Sequence, residues 1–161
     1  MAWQTNLRRL FVVGFLLASG CGPSPEVRPP LHPTQGLLTI NGEPAAGAMV
    51  VLHPADGKSF DDRGTRPKAT VNADGTFELT TYQNGDGAPA GDYRVSILWL
   101  MEPDSSSRWD RLGGRYANPD STDLRVSIGE TANLLNPIRL EGIPLATRRP
   151  QADSSDFDQV D

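Results

Sequence analysis

A lone thiol and two imidazoles are the side chains here that most readily do covalent or metal chemistry, and they do not form a set. Cys21 is the only cysteine in 161 residues, so no disulfide closes within the chain. His32 lies in a proline-rich run and His53 ends an apolar stretch just before Pro54. Neither has a second histidine, cysteine or carboxylate at metal-ligand spacing. No serine sits in a nucleophile turn with matching His and Asp, and no glycine-rich phosphate loop opens a helix. Carboxylates are plentiful, at 20 Asp and Glu, but a glycoside-cleaving pair is defined by its separation in space, which composition does not set. The expectation is a chain with no enzymatic activity and no cofactor. His53 is expected to be a strand-end residue with one hydrogen bond.

Cys21 has one chemistry open to it by context, that of a lipid acceptor. Arg8 and Arg9 precede the apolar run Leu10–Leu17, and the small residues Ala18, Ser19 and Gly20 follow it. No acid occurs before Cys21. The apolar run is far short of the roughly 20 residues that cross a bilayer, and small residues suit a signal peptidase site. The segment resembles the processing site of bacterial lipoproteins, with Ala18 where leucine is commonest. That resemblance implies cleavage between Gly20 and Cys21 and a diacylglycerol thioether on Cys21, usually with a further acyl group on the new amine. Two or three chains hold a protein to a membrane where one does so only marginally. The expected address is the bacterial cell envelope, membrane-anchored and facing the periplasm or exterior.

Composition divides the remainder. Gly22–Thr34 (GPSPEVRPPLHPT) holds five prolines and reads as a tether. At about 3.1 Å per residue it would span roughly 40 Å. Residues 35–142 form one domain of a size usual for a β-sandwich. Residues 143–161 carry Asp153, Asp156, Asp158 and Asp161 with few apolar side chains, and are expected to be a disordered acidic tail. Cleavage before Cys21 removes Arg8 and Arg9 and no acid, taking the net charge from −5 to about −7. An acidic body gives no electrostatic case for nucleic acid.

Within 35–142 the apolar residues recur with period two. Leu38 and Ile40, Ala48–His53, Ala69 and Val71, Phe77 and Leu79, Tyr93 to Trp99, Leu124 to Ile128, and Ile138 with Leu140 give seven strands. Asn41-Gly42 and Asp74-Gly75 accept the positive φ of tight turns, and Asp74-Gly75 predicts a hairpin over Pro67–Thr81. The fold expected is all-β: a seven-stranded antiparallel sandwich. Tyr93, just after the glycine-rich loop Gly85–Gly91, is placed to pin that corner through its hydroxyl. The outward face of its strand turns apolar at Leu98 and Leu100, so the connection 103–122 is expected to fold back over them.

Asn72-Ala73-Asp74-Gly75-Thr76-Phe77-Glu78-Leu79, Gly85-Asp86-Gly87-Ala88-Pro89-Ala90-Gly91-Asp92-Tyr93 and the opening Gly36–Val51 resemble the carboxypeptidase regulatory-like and transthyretin-like domains. With Gly114-Arg115-Tyr116, the likeness is closest to small lipoproteins abundant in planctomycete bacteria. The resemblance implies a prealbumin-like or Ig-like Greek-key sandwich, and it is to the accessory domain of carboxypeptidases, not the zinc enzyme. Two non-enzyme readings follow. One is an envelope structural or protein-interaction module. The other is a surface that binds a glycan through Trp109, Arg111, Arg115 and Tyr116, or calcium through Asp74, Asp86 and Asp92.

Overall fold

The structure, a computed structural model, describes residues 28–101 and 109–146. Gly20, Cys21 and the expected signal segment lie outside these, as do residues 102–108 and 147–161. The described residues are all-β, with strands β1 (Thr34–Ile40), β2 (Glu43–Pro44), β3 (Met49–Pro54), β4 (Lys68–Thr70), β5 (Thr76–Glu78), β6 (Gly91–Leu98), β7 (Arg125–Ile128), β8 (Asn133–Leu134) and β9 (Ile138–Leu140). The count expected from sequence was seven. Each of those segments carries a strand, and β2 and β8 raise the number to nine. Two-residue strands hold no alternation to read.

The strands form two facing sheets. In one, the order is β4-β3-β6-β7, all antiparallel. In the other, β1 is central, with β5 and β2 along one edge and β8 and β9 along the opposite edge. An all-antiparallel sandwich is corrected here, since β8 and β9 run parallel to β1. The reason is the crossing between sheets. β7 ends at Ile128, opposite Gly91, at the end of the sandwich where β1 begins. The few residues to Asn133 only change sheets, so the chain must then run the same way as β1. Thr34 faces Asn133 but Leu38 faces Ile138, so one extra residue bulges from the outer strand before Pro137, which has no N–H to give.

The hairpin expected over Pro67–Thr81 is also modified. Asn72 N–H bonds Thr76 O at 2.8 Å and closes the turn; Lys68 and Thr80 exchange both backbone bonds at 2.9 and 2.8 Å. Between those ties β4 pairs with β3 and β5 pairs with β1. The segment is therefore a corner that joins the two sheets and closes that side of the sandwich.

The core follows the alternation. Leu38, Ile40, Val50, Leu52, Phe77, Leu79, Val95 and Ile97 are buried between the sheets. Gly36 leaves space for the Phe77 ring; a Cβ there would lie 2.3 Å from Phe77 Cζ. Tyr93 is buried and its hydroxyl donates to Pro89 O at 2.8 Å, which pins the loop before β6 as expected. Burial, helped by the Asp56 carboxylate, pushes the phenol up to about 12.

Described residues before 35 and after 142 also join the body. His32 pairs with Ala88 in both directions, and the Arg28 guanidinium stacks on the Tyr82 ring at 4.4 Å. Gly87 permits this approach: a Cβ on it would sit 1.9 Å from His32 O. At the other terminus Ile143 and Leu145 pack on the core, and Ala146 N–H bonds Arg111 O at 2.8 Å.

Two outcomes are expected. Tyr93→Phe leaves a buried carbonyl unpaired and lowers unfolding stability by about 1–2 kcal/mol in urea titrations. The wild-type phenol is held neutral above its ordinary value of about 10. Its contribution is therefore full below that pH and lost as pH rises towards 12, because the unfolded chain gives up the proton first. The variant should lack this alkaline loss; an unchanged pH profile would count against the corner. Gly87→Ala should free the His32 amide for hydrogen exchange, and an amide as slow as in wild type would contradict the close approach.

Candidate functional site

The candidate surface is built from β6 and the connection after it. The described part of that connection returns along the edge of β6. Met101 N–H bonds Trp109 O, Arg111 N–H bonds Trp99 O, and Ile97 N–H bonds Tyr116 O, at 2.7 to 3.0 Å. Leu124 O then accepts from Val95 N–H and leads into β7. Leu98 and Leu100 are each half-buried, and residues 103–108 of the connection expected to cover them lie outside the described residues.

Asp110 organises this turn. Its carboxylate accepts from the backbone N–H of Trp99 (2.9 Å), Leu112 (3.1 Å) and Gly114 (2.8 Å). Trp99 is buried beneath it and donates from Nε1 to Ala46 O at 2.9 Å. The Arg111 guanidinium covers the Trp99 ring at 4.0 Å. Of the four residues expected to form a binding surface, Arg111 is thus engaged on Trp99. Tyr116 and Trp109 are half-buried, with Tyr116 against the core, and Arg115 is exposed. The structure brings the four to one end of the sandwich, with Arg111 turned onto Trp99 and both expected aromatics half-buried. Sequence reading missed Asp110. Its signal was an Asp two residues before Leu112 and four before Gly114, the spacing at which a carboxylate caps a turn.

The three loop aspartates do not converge. Asp74 accepts from the Thr76 N–H and hydroxyl, and these hydrogen bonds hold its carboxyl below the ordinary value. Asp86 accepts from the N–H groups of Thr81, Tyr82 and Gln83. Asp92 accepts from the Ser127 hydroxyl. Among the described residues no group of three or more His, Cys, Asp or Glu is placed to hold a metal ion. Each of the three carboxylates serves its own turn or strand pair. Asp61 behaves likewise. Although burial raises its carboxyl, donors from Thr65, Tyr82 and Arg63 outweigh this and hold it at about 2.

The outer face of β3 and β6 carries a second polar group. His53 lies opposite Arg94, and its Nε2 is 2.9 Å from the Ser96 hydroxyl, which is buried. Burial, then the charges of Arg66 and Arg94, lower the imidazole below its ordinary value, with Asp120 opposing. Arg94 is paired with Asp120. His53 is thus a strand-end residue bonded once to a neighbour, as expected.

No protein-family model, characterised protein or solved structure gives a significant match to the chain.

Removing the Asp110 carboxylate tests the organisation of the surface. Asp110→Ala should cost about 2 kcal/mol and speed exchange at the Trp99, Leu112 and Gly114 amides, leaving the Tyr93 corner unchanged. Equal exchange in both proteins would show that the turn holds without it.

Proposed function

We propose that this chain is a lipoprotein of the bacterial cell envelope, anchored through Cys21, whose non-catalytic β-sandwich serves as a structural or protein-interaction module. The observation that carries the reading is the succession of Arg8 and Arg9, an apolar run, three small residues and a lone cysteine followed by proline-rich chain. A Greek-key, prealbumin-like sandwich of the carboxypeptidase regulatory-like kind is part of the same proposal, on the motifs around Asp74-Gly75 and Gly85–Tyr93.

The arrangement of the body supports an anchored display. Residues 28–33 approach at the Ala88 end, beside the start of β1. The Trp109–Tyr116 turn lies at the opposite end, beside Trp99. With β6 eight residues long, the ends are separated by about 25 Å. A lipid at Cys21 would therefore leave Arg115 and the half-buried aromatics directed away from the bilayer. That favours contact with an envelope protein. A glycan surface is favoured less, because Trp109 and Tyr116 are half-buried rather than exposed.

Fractionation tests the anchor. Wild-type protein should partition with membranes and incorporate labelled palmitate, and Cys21→Ser should be soluble and unlabelled. A Cys21→Ser protein held as firmly in the membrane fraction would overturn the proposal.

A further inference from the structure

The two sides of the sandwich are closed differently. On one, the corner between β4 and β5 ties the sheets together through Lys68 and Thr80. On the other, β7 and the β8–β9 pair are both outer strands, and a groove of about 560 Å³ runs between them. Leu124, Val126 and Ile138 point into it yet are only half-buried, although they pack against the core. Leu134, at its rim, is 83% exposed. The charged residues lining the groove are Arg125 and Arg139, with no carboxylate among its walls. An apolar floor under two cations calls for a chain segment that is apolar and acidic.

An acidic segment with one aromatic ring lies further along the chain, after Thr147-Arg148-Arg149-Pro150. After β9 the backbone continues at the end of the sandwich where β1 finishes. Asn41 holds Ile143 through both its amide atoms, at 2.8 and 2.9 Å, and Ala146 is tied to Arg111. The chain thus leaves Ala146 beside Arg111, next to the Trp99 end of β6. Leu124 bonds Val95, four residues along β6 from Trp99, which is about 13 Å away. Phe157 is eleven residues beyond Ala146, a reach of up to roughly 36 Å. Residues 151–161 (QADSSDFDQVD) hold four aspartates, no lysine or arginine, and one aromatic ring.

We propose that residues 151–161 dock back into the groove between β7 and β8–β9. Phe157 fills the space over Leu124, Val126 and Ile138, and Asp156 and Asp158 face Arg125 and Arg139. The segment completes the side of the sandwich that the folded body leaves open. This inference requires no lipid and stands apart from the anchoring proposal.

The test is nuclear magnetic resonance on the chain from residue 21 onward with Cys21→Ser. Cross-relaxation from the Phe157 ring to the methyls of Val126 and Ile138 is expected. It should be lost in Phe157→Ala and in the double variant Arg125→Glu, Arg139→Glu. It should return when the double variant also carries Asp156→Lys and Asp158→Lys. No contact in the wild type overturns the proposal, as does a contact indifferent to both arginines. A 1:1 mixture of labelled and unlabelled chains separates the sources. Contacts seen only between unlike chains would assign the segment to a second copy and overturn docking within one chain. Unchanged methyl dispersion in the core shows that the charge variants remain folded.

Discussion

The backbone of β1 is hydrogen-bonded along both edges, and the rest of the sandwich is arranged around that requirement. Buried N–H and C=O groups must be paired, so a central strand needs neighbours on either side for its whole length. No single strand supplies either edge. β5 covers the start of β1 and β2 its end; β8 and β9 do the same opposite. Each partner comes from a different part of the chain, so β1 gathers the first and last strands into one sheet. Its inward residues Leu38 and Ile40 then meet Val50, Leu52, Val95 and Ile97 of the facing sheet in one core.

The loops are fixed by a second rule. A carboxylate that gathers backbone N–H groups replaces the regular ladder where the chain turns. Asp61, Asp86 and Asp110 each hold a loop in this way, and Asp74 holds a tight turn. Acidic groups that might be taken for ligands are used locally. The corresponding role on the apolar side falls to Tyr93, whose hydroxyl reaches one carbonyl while its ring belongs to the core.

Period-two alternation made the longer strands legible, and the Tyr93 corner was legible from a tyrosine directly following a glycine-rich loop. What could not be read were consequences of pairing. Glu43–Pro44 and Asn133–Leu134 are too short to alternate. The parallel direction of β8 and β9 depends on which end of the sandwich β7 finishes at. The Pro67–Thr81 segment has hairpin chemistry in its turn, yet its strands are claimed by different neighbours. His32 sits among prolines, and only Gly87, more than fifty residues away, shows why the chain is held there. Of the candidate surface, its place in the chain was legible; the stacking of Arg111 on Trp99 was not, because it depends on Asp110 turning the backbone.

The parallel course of β1 and β9 also sets how the body would respond to tension. The chain approaches β1 at the Ala88 end and leaves β9 at the Arg111 end. A pull between the two termini therefore runs along the strands. The hydrogen bonds that join Leu38–Ile40 to Ile138–Leu140 lie across that direction and would be loaded together in shear, rather than opened one after another. Forced rupture would then be governed by the rate of a concerted slip between the terminal strands.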